Sequence, residues 1–301
     1  MRVAMAYIGL IVIWSTTPLA MKWSTEATGF LFAVTSRMAI GTAIAVLFGF
    51  MMNREFPHDR LALKTYAASG SGAYLAMMCS YWGAQYIPSG WISVIFGLAP
   101  VITSVMAARY LAENNVGVSK IGALVISLAG LWVMFQHSLD MGDSAVYGIT
   151  AVVCGVFFYS LGIVAVKQIN AAIPPAATMT GTLIVATTLF LATWLIGNYD
   201  APLSIPTRSA GAILYLGIVG SVLGFMLFYY VLQNVEATRA SLITLITPGN
   251  ALIIGCLLNK EPITTDVITG AALIVAGLLL FHYGAEINLH RIKGFNRLRR
   301  N

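Results

Sequence analysis

Charged side chains are scarce in this sequence. Only 9% of its 301 residues are Asp, Glu, Lys or Arg, while 58% are hydrophobic; an ordinary soluble domain carries about 25% charged residues. So little charge could not cover a water-facing surface, which excludes a soluble globular fold and leaves lipid as the solvent for much of the chain. Cysteine is also rare. Cys79, Cys154 and Cys256 all fall inside apolar runs, which excludes a disulfide framework and leaves them as small apolar packing residues. Long polar connections are missing as well: the longest link is NREFPHDRLA, too short to house a separate enzyme domain.

Reactive motifs are absent in the same way. His58, His137, His282 and His290 lie in links or at the ends of apolar runs. There is no HExxH, no metal-type Cys/His spacing, no G-x-S-x-G elbow and no phosphate-binding GxxxxGK[ST]. The chain therefore encodes neither a converging catalytic centre nor an ATP-driven step, and no cofactor or metal is expected.

What the chain does have is apolar runs of about 20 residues, the length of a transmembrane helix. Ten can be read, near 3–23, 28–52, 63–84, 89–111, 117–137, 146–167, 176–197, 208–232, 238–258 and 263–284. All should be helices, because a backbone in hydrocarbon must satisfy its own polar groups. The first run ends on Lys22 without a small-residue cleavage site, so it reads as a span and not as a signal peptide. The net charge of +6 does not point to nucleic acid, because of where the basic residues fall. Arg54, Arg60, Lys64, Arg109, Lys120, Lys167 and Arg239 share one side with both termini, against Lys22, Arg208 and Lys260 on the other. This is the positive-inside pattern for an even number of spans with both termini cytoplasmic. The basic tail HRIKGFNRLRR then reads as an anchor on anionic lipid headgroups.

The sequence also repeats itself. Pro100 and Pro248 are 248 − 100 = 148 apart, and Glu113 and Glu261 share that offset. So do Gly72 and Gly220, Tyr81 and Tyr229, Gln85 and Gln233, and Ser93 and Ser241. Earlier segments match at 145, where Trp14, Ser15 and Lys22 face Tyr159, Ser160 and Lys167. The expected organisation is a first five-helix repeat over 1–138, a link at 139–145, a second repeat over 146–284 and a cytoplasmic tail at 285–301. Five is odd, so the second copy enters the membrane from the opposite side. The expected fold is all-α: ten transmembrane helices as two inverted five-helix repeats.

These residues resemble the drug/metabolite transporter superfamily, in its ten-span EamA-like form, over about residues 3 to 284. The resemblance rests on Trp14-Ser15 in the first span, Arg37 in the second, and the Pro-then-Glu pairs of the fourth and ninth. It implies export or exchange of small metabolites such as amino acids by alternating access through a central cavity, without naming the substrate. Small multidrug exporters of that superfamily use a carboxylate deep in the first helix. This chain has WSTTP there, which disfavours proton-coupled export of hydrophobic cations and favours a neutral or zwitterionic solute. A passive channel, or a membrane-embedded lipid-processing enzyme, remains an alternative.

Several side chains are candidates to carry transport. Pro100 and Pro248 lie within spans and free the carbonyls of Phe96 and Thr244, as hinges or as static kinks. Ser93, Gly97 and Ser104, and Ser241 with Thr244, fall on the same faces as those prolines and fit a cavity wall or close helix packing. Trp14 and Tyr159 offer flat surfaces to a solute, with Ser15 beside them. Arg37 is the one charge well inside a span, suited to a substrate anion or to neighbouring carbonyls; its counterpart at the 145 offset is Thr182, so its role is not expected to be duplicated. Tyr81 with Gln85, and Tyr229 with Gln233, share a helix face and are candidates for two gates, or for the interfacial aromatic belt. Glu113 and Glu261 close their spans beside Arg109 and Lys260, which favours structural pairing. Gly72 with Ala76 and Gly220 with Gly224 give small-xxx-small contacts, within one protomer or in a homodimer.

Overall fold

The structure is a computed structural model that describes residues 2–51, 56–111, 122–123, 125–133, 143–197, 199–241, 243–277 and 279–280. Glu113, three of the four histidines and the basic tail 285–301 lie outside the described residues, as does the side chain of Ser241.

Every described regular element is helical. The first half holds α1 Arg2–Thr25, α2 Phe30–Met51, α3 Arg60–Gly83, α4 Ser89–Phe96, α5 Ala99–Tyr110 and α6 at 125–133. The second holds α7 Asp143–Ile169, α8 Pro175–Ile196, α9 Thr207–Tyr215, a π-helical segment Leu216–Leu223, α10 Gly224–Asn234, α11 Ala237–Ser241, α12 Ile243–Asn259 and α13 at 265–277. Six stretches are long and apolar enough to cross a bilayer: Val3–Thr25, Phe30–Met51, Ser89–Tyr110, Ser144–Ile169, Pro175–Ile196 and Thr207–Asn234. Thr265–Gly277 is shorter. At 24 residues α3 has the length, about 36 Å, but less apolar character. The reason is its inward face, which carries Tyr66, Ser69, Ser80 and Tyr81, all buried.

Packing runs across the two halves as much as within them. α3 lies along α7, α2 along α8, and α1 against α9, the π segment, α10 and α12. Small residues allow the closest approaches: a Cβ on Gly72 would come within 2.9 Å of the Gly162 Cα. The small-xxx-small faces are thus used inside the protomer. One buried cluster draws on α1, α2, α8 and α10, including Leu10, Met38, Phe190 and Phe228. A second, including Trp91, Ile95, Val152 and Ile274, gathers α4, α5, α7 and α13.

The prolines do not act alike. The helix breaks before Pro100, at Gly97 and Leu98, whose amides turn back to Ser93, Val94 and Ile95. Pro100 then stands in the first turn of α5, where its missing N–H costs nothing. Pro248 instead sits inside the continuous α12. The expected pair of equivalent mid-helix bends is therefore replaced by one break and one internal proline.

A candidate solute cavity between the halves

A cavity lies where the halves meet. It is lined from the first half by Trp14, Thr17, Pro18, Met21, Arg37, Ser69, Ser93 and Phe96, and from the second by Tyr159, Gly220, Phe228, Tyr229, Thr244 and Thr247, among others. The enclosed cavity is about 150 Å³, smaller than the ~300–1,000 Å³ usual for small-molecule sites. Arg37 is its one charged wall residue, and no Asp or Glu lines it among the described residues.

Arg37 is 2% exposed and held by neutral oxygens. Its Nε donates to Ser221 Oγ at 2.9 Å and its Nη1 to the Tyr81 hydroxyl at 3.2 Å. Nη2 makes no hydrogen bond among the described residues and is not sealed off, so it opens on the cavity. Gly220 makes this opening: a Cβ there would meet Nη2 at 3.2 Å. The π-helical turns around Gly217, Gly220 and Ser221 bring this backbone against α2. Helices of this wide pitch occur mostly as single-turn bulges, often at functional sites.

The other half repeats this node with a different residue. Thr182 Oγ1 bonds to the Tyr229 hydroxyl at 2.9 Å and to Ser69 Oγ at 2.7 Å. In each half, one residue of the second long helix joins the repeated tyrosine of its own half to a serine of the opposite half. The contact pattern is duplicated although the charge is not. Both tyrosines are interior, at 0% and 5% exposure, so the aromatic-belt alternative does not hold for them.

An aromatic wall faces the same space. Trp14 meets Tyr159 edge-on at 6.0 Å and Phe228 at 5.4 Å, and Phe96 meets Tyr159 at 5.7 Å. Phe96 and Phe228 carry no distinctive spacing; membership of the wall follows only from the packing.

At one end of the bundle a polar lattice ties the halves together. Glu261 accepts from the Ser89 amide at 3.1 Å, Ser89 Oγ at 2.9 Å and the Gly90 amide at 3.3 Å, capping the N-terminus of α4, where a carboxylate is favoured. The backbone of Lys260, at φ +52°, turns Glu261 back toward it. Lys22 donates to the carbonyls of Ala84 and Ile87 at 3.1 and 2.9 Å. Asn259 joins Trp23, Arg208 and Glu261. Glu261 therefore pairs with a helix end, not with its neighbour Lys260.

Other candidates lie elsewhere. Ser15 Oγ donates to Ile11 and accepts from Asn250, so it faces α12 and not the cavity. Gly97 ends α4, outside the cavity wall. Gln85 and Gln233 are exposed and donate to the carbonyls of Trp82 and Ile173. One turn beyond their tyrosines, they have left the core, and the Tyr–Gln pairs do not form units. Tyr81 reaches the cavity only through Arg37. Cys154 is exposed on the outer surface and so is not an interior packing residue. Thr247, one turn from Thr244, and Ser69 belong to the wall and were legible only as the polar neighbours of named positions.

A helical membrane bundle with a cavity between two halves is an architecture that membrane transporters use. A sequence model of the EamA-like transporter family matches residues 1–136 and again 146–283. The chain belongs to this family, within the drug/metabolite transporter superfamily, and is a multi-pass protein of the cell membrane. It is similar to an uncharacterized transporter of Archaeoglobus fulgidus, 25% identical over 90% of this chain and 95% of that one. An uncharacterized transporter of Bacillus subtilis, YoaV, is also 25% identical, over 93% and 96%. A probable terminal-alkyne amino-acid exporter of Streptantibioticus cattleyicolor is 23% identical over 92% of each chain. A solved crystal structure shares the fold with a TM-score of 0.70 and 16% identity, covering 95% of this chain and 99% of the other.

Proposed function

We propose that the protein is a secondary carrier that exports small carboxylate-bearing metabolites of the amino-acid kind by alternating access. The observation that carries this reading is Arg37, a buried cation without a carboxylate partner among the described residues, opening on a cavity with an aromatic wall. The likeness to a probable amino-acid exporter supports the solute class.

In this reading the chain crosses the membrane ten times as two inverted five-helix repeats with both termini in the cytoplasm. The separate family matches to 1–136 and 146–283 and the paired nodes at Arg37 and Thr182 support it. Inversion makes the two end states nearly equivalent, so the halves rock about the cavity without a large energy difference. The lattice around Glu261 and Lys22 closes one end, and its loosening opens it. The basic tail rests on anionic lipid.

Counterflow in proteoliposomes tests this. Vesicles are loaded with unlabelled amino acids and related acids, and entry of trace label is followed. A carrier concentrates label transiently against its gradient; a channel only equilibrates it. Overshoot for at least one carboxylate, lost in Arg37→Gln, is the expected result. Equilibration without overshoot, or no exchange for any solute, sinks the reading.

A further inference from the structure

We propose that the cavity recognises the carboxylate of its solute and not a neighbouring ammonium group, so that organic acids with an apolar body bind more tightly than the matching zwitterionic amino acids. This rests on the carrier reading above and narrows its solute class.

The charge of the wall carries the argument. Arg37 spends Nε and Nη1 on the hydroxyl oxygens of Ser221 and Tyr81, which carry no formal charge to offset its own. An unpaired buried cation is costly. A carboxylate against the open Nη2 both neutralises it and forms a charge-assisted hydrogen bond. A solute of net charge −1 leaves the filled cavity neutral.

A zwitterion does not. Its ammonium sits next to its own carboxylate, and once that carboxylate is docked the ammonium lies close to the guanidinium, a like charge. No Asp or Glu of the described wall is there to receive it. The rings of Trp14, Phe96 and Phe228 offer an ammonium a cation–π contact. Stripping water from an ammonium is costly, and the hydroxyls of the wall, Ser93, Thr247 and Tyr159 among them, offer it only uncharged acceptors, whereas the carboxylate meets a full opposite charge. The same rings, with Met21 and Met77 beside them, suit an uncharged ring or branched chain.

The test uses three probes that differ only in their charged groups, 3-phenylpropionate, L-phenylalanine and phenethylamine, titrated at neutral pH into the detergent-solubilised protein while thermal unfolding is followed. 3-Phenylpropionate should half-saturate the shift at a concentration about tenfold lower than L-phenylalanine, and phenethylamine should give none. Arg37→Gln should abolish the response to both acids, and Arg37→Lys should retain a weaker one. Equal or tighter binding of L-phenylalanine, no binding of either acid, or an acid response that survives in Arg37→Gln overturns the proposal. If Arg37→Gln does not fold, the ratio of the two acids on the unaltered protein still decides. Acid-selective binding without counterflow would remove the carrier and keep the anion site; counterflow of amino acids without preference for the deaminated acid would do the reverse.

Discussion

The hydroxyls of Thr42 and Thr187 lie 2.7 Å apart, and 187 − 42 = 145, the offset that aligns the early segments of the two halves. Residues related by a twofold repeat touch one another only near the axis relating them. Trp14 and Tyr159, also 145 apart, meet at 6.0 Å. The proposed pseudo-twofold therefore passes between α2 and α8 and through the aromatic wall of the cavity.

The threonine pair predicts a non-additive double mutant. Thr42→Val or Thr187→Val alone should cost about 1 kcal/mol, because a part-buried hydroxyl loses its partner. The double variant should cost less than the sum. Denaturant unfolding in micelles measures all three, and strict additivity would show that the hydroxyls do not act together.

Glu261 should stabilise the fold through its charge. Glu261→Gln keeps the size but weakens three contacts to the start of α4, and the expected loss is roughly 1.5–3 kcal/mol for hydrogen bonds to a charged group. Ser89→Ala removes one contact and should cost less. An unchanged unfolding midpoint in Glu261→Gln would mean that the charge on the cap contributes nothing.

Two glycines should respond in opposite directions. Gly72→Ala places a Cβ 2.9 Å from the Gly162 backbone, which cannot move aside as a side chain can, so α3 and α7 must part at a cost of about 1–3 kcal/mol. Gly249 lies inside α12, and a methyl group added there would meet nothing within 4 Å; Gly249→Ala should stabilise by up to about 1 kcal/mol. Comparing the two by thermal unfolding checks the packing directly.

Gly220→Ala tests the opening over Arg37 while keeping the charge. The added methyl, 3.2 Å from Nη2, should raise the half-saturation for carboxylates roughly fivefold, about 1 kcal/mol, with little change in maximal exchange rate. Initial-rate counterflow separates the two. A fall in rate at constant half-saturation would place Gly220 in the conformational change and not in binding.

Many helix positions were legible in the sequence because lipid leaves the backbone no other way to satisfy its polar groups; the break at Gly97 and Leu98 and the π-helical segment Leu216–Leu223 lie inside apolar runs and left no mark on run length. The short gap between the runs ending near 84 and beginning near 89 is a turn, with α3 stopping at Gly83 and α4 starting at Ser89. Arg37 and Trp14 stood out for a similar reason, since charge and flat aromatic surface are conspicuous in an apolar chain. Single-residue neighbours of these positions carried no such mark.

Local sequence could not decide which groups meet across the halves. Glu261 looks like the partner of Lys260, yet a left-handed residue aims it at a helix 172 positions away. Gln85 shares a face with Tyr81, yet the core ends between them. Pro100 and Pro248 are equivalent by offset, but one starts a helix and the other lies within one. The repeat marks Thr182 only as the counterpart of Arg37; its bonds to Tyr229 and Ser69 appear only when those residues close around it. Periodicity and solvent act along a helix and are written in the sequence. Partnership across the cavity depends on how two such helices are pressed together, and that geometry exists only in the folded bundle.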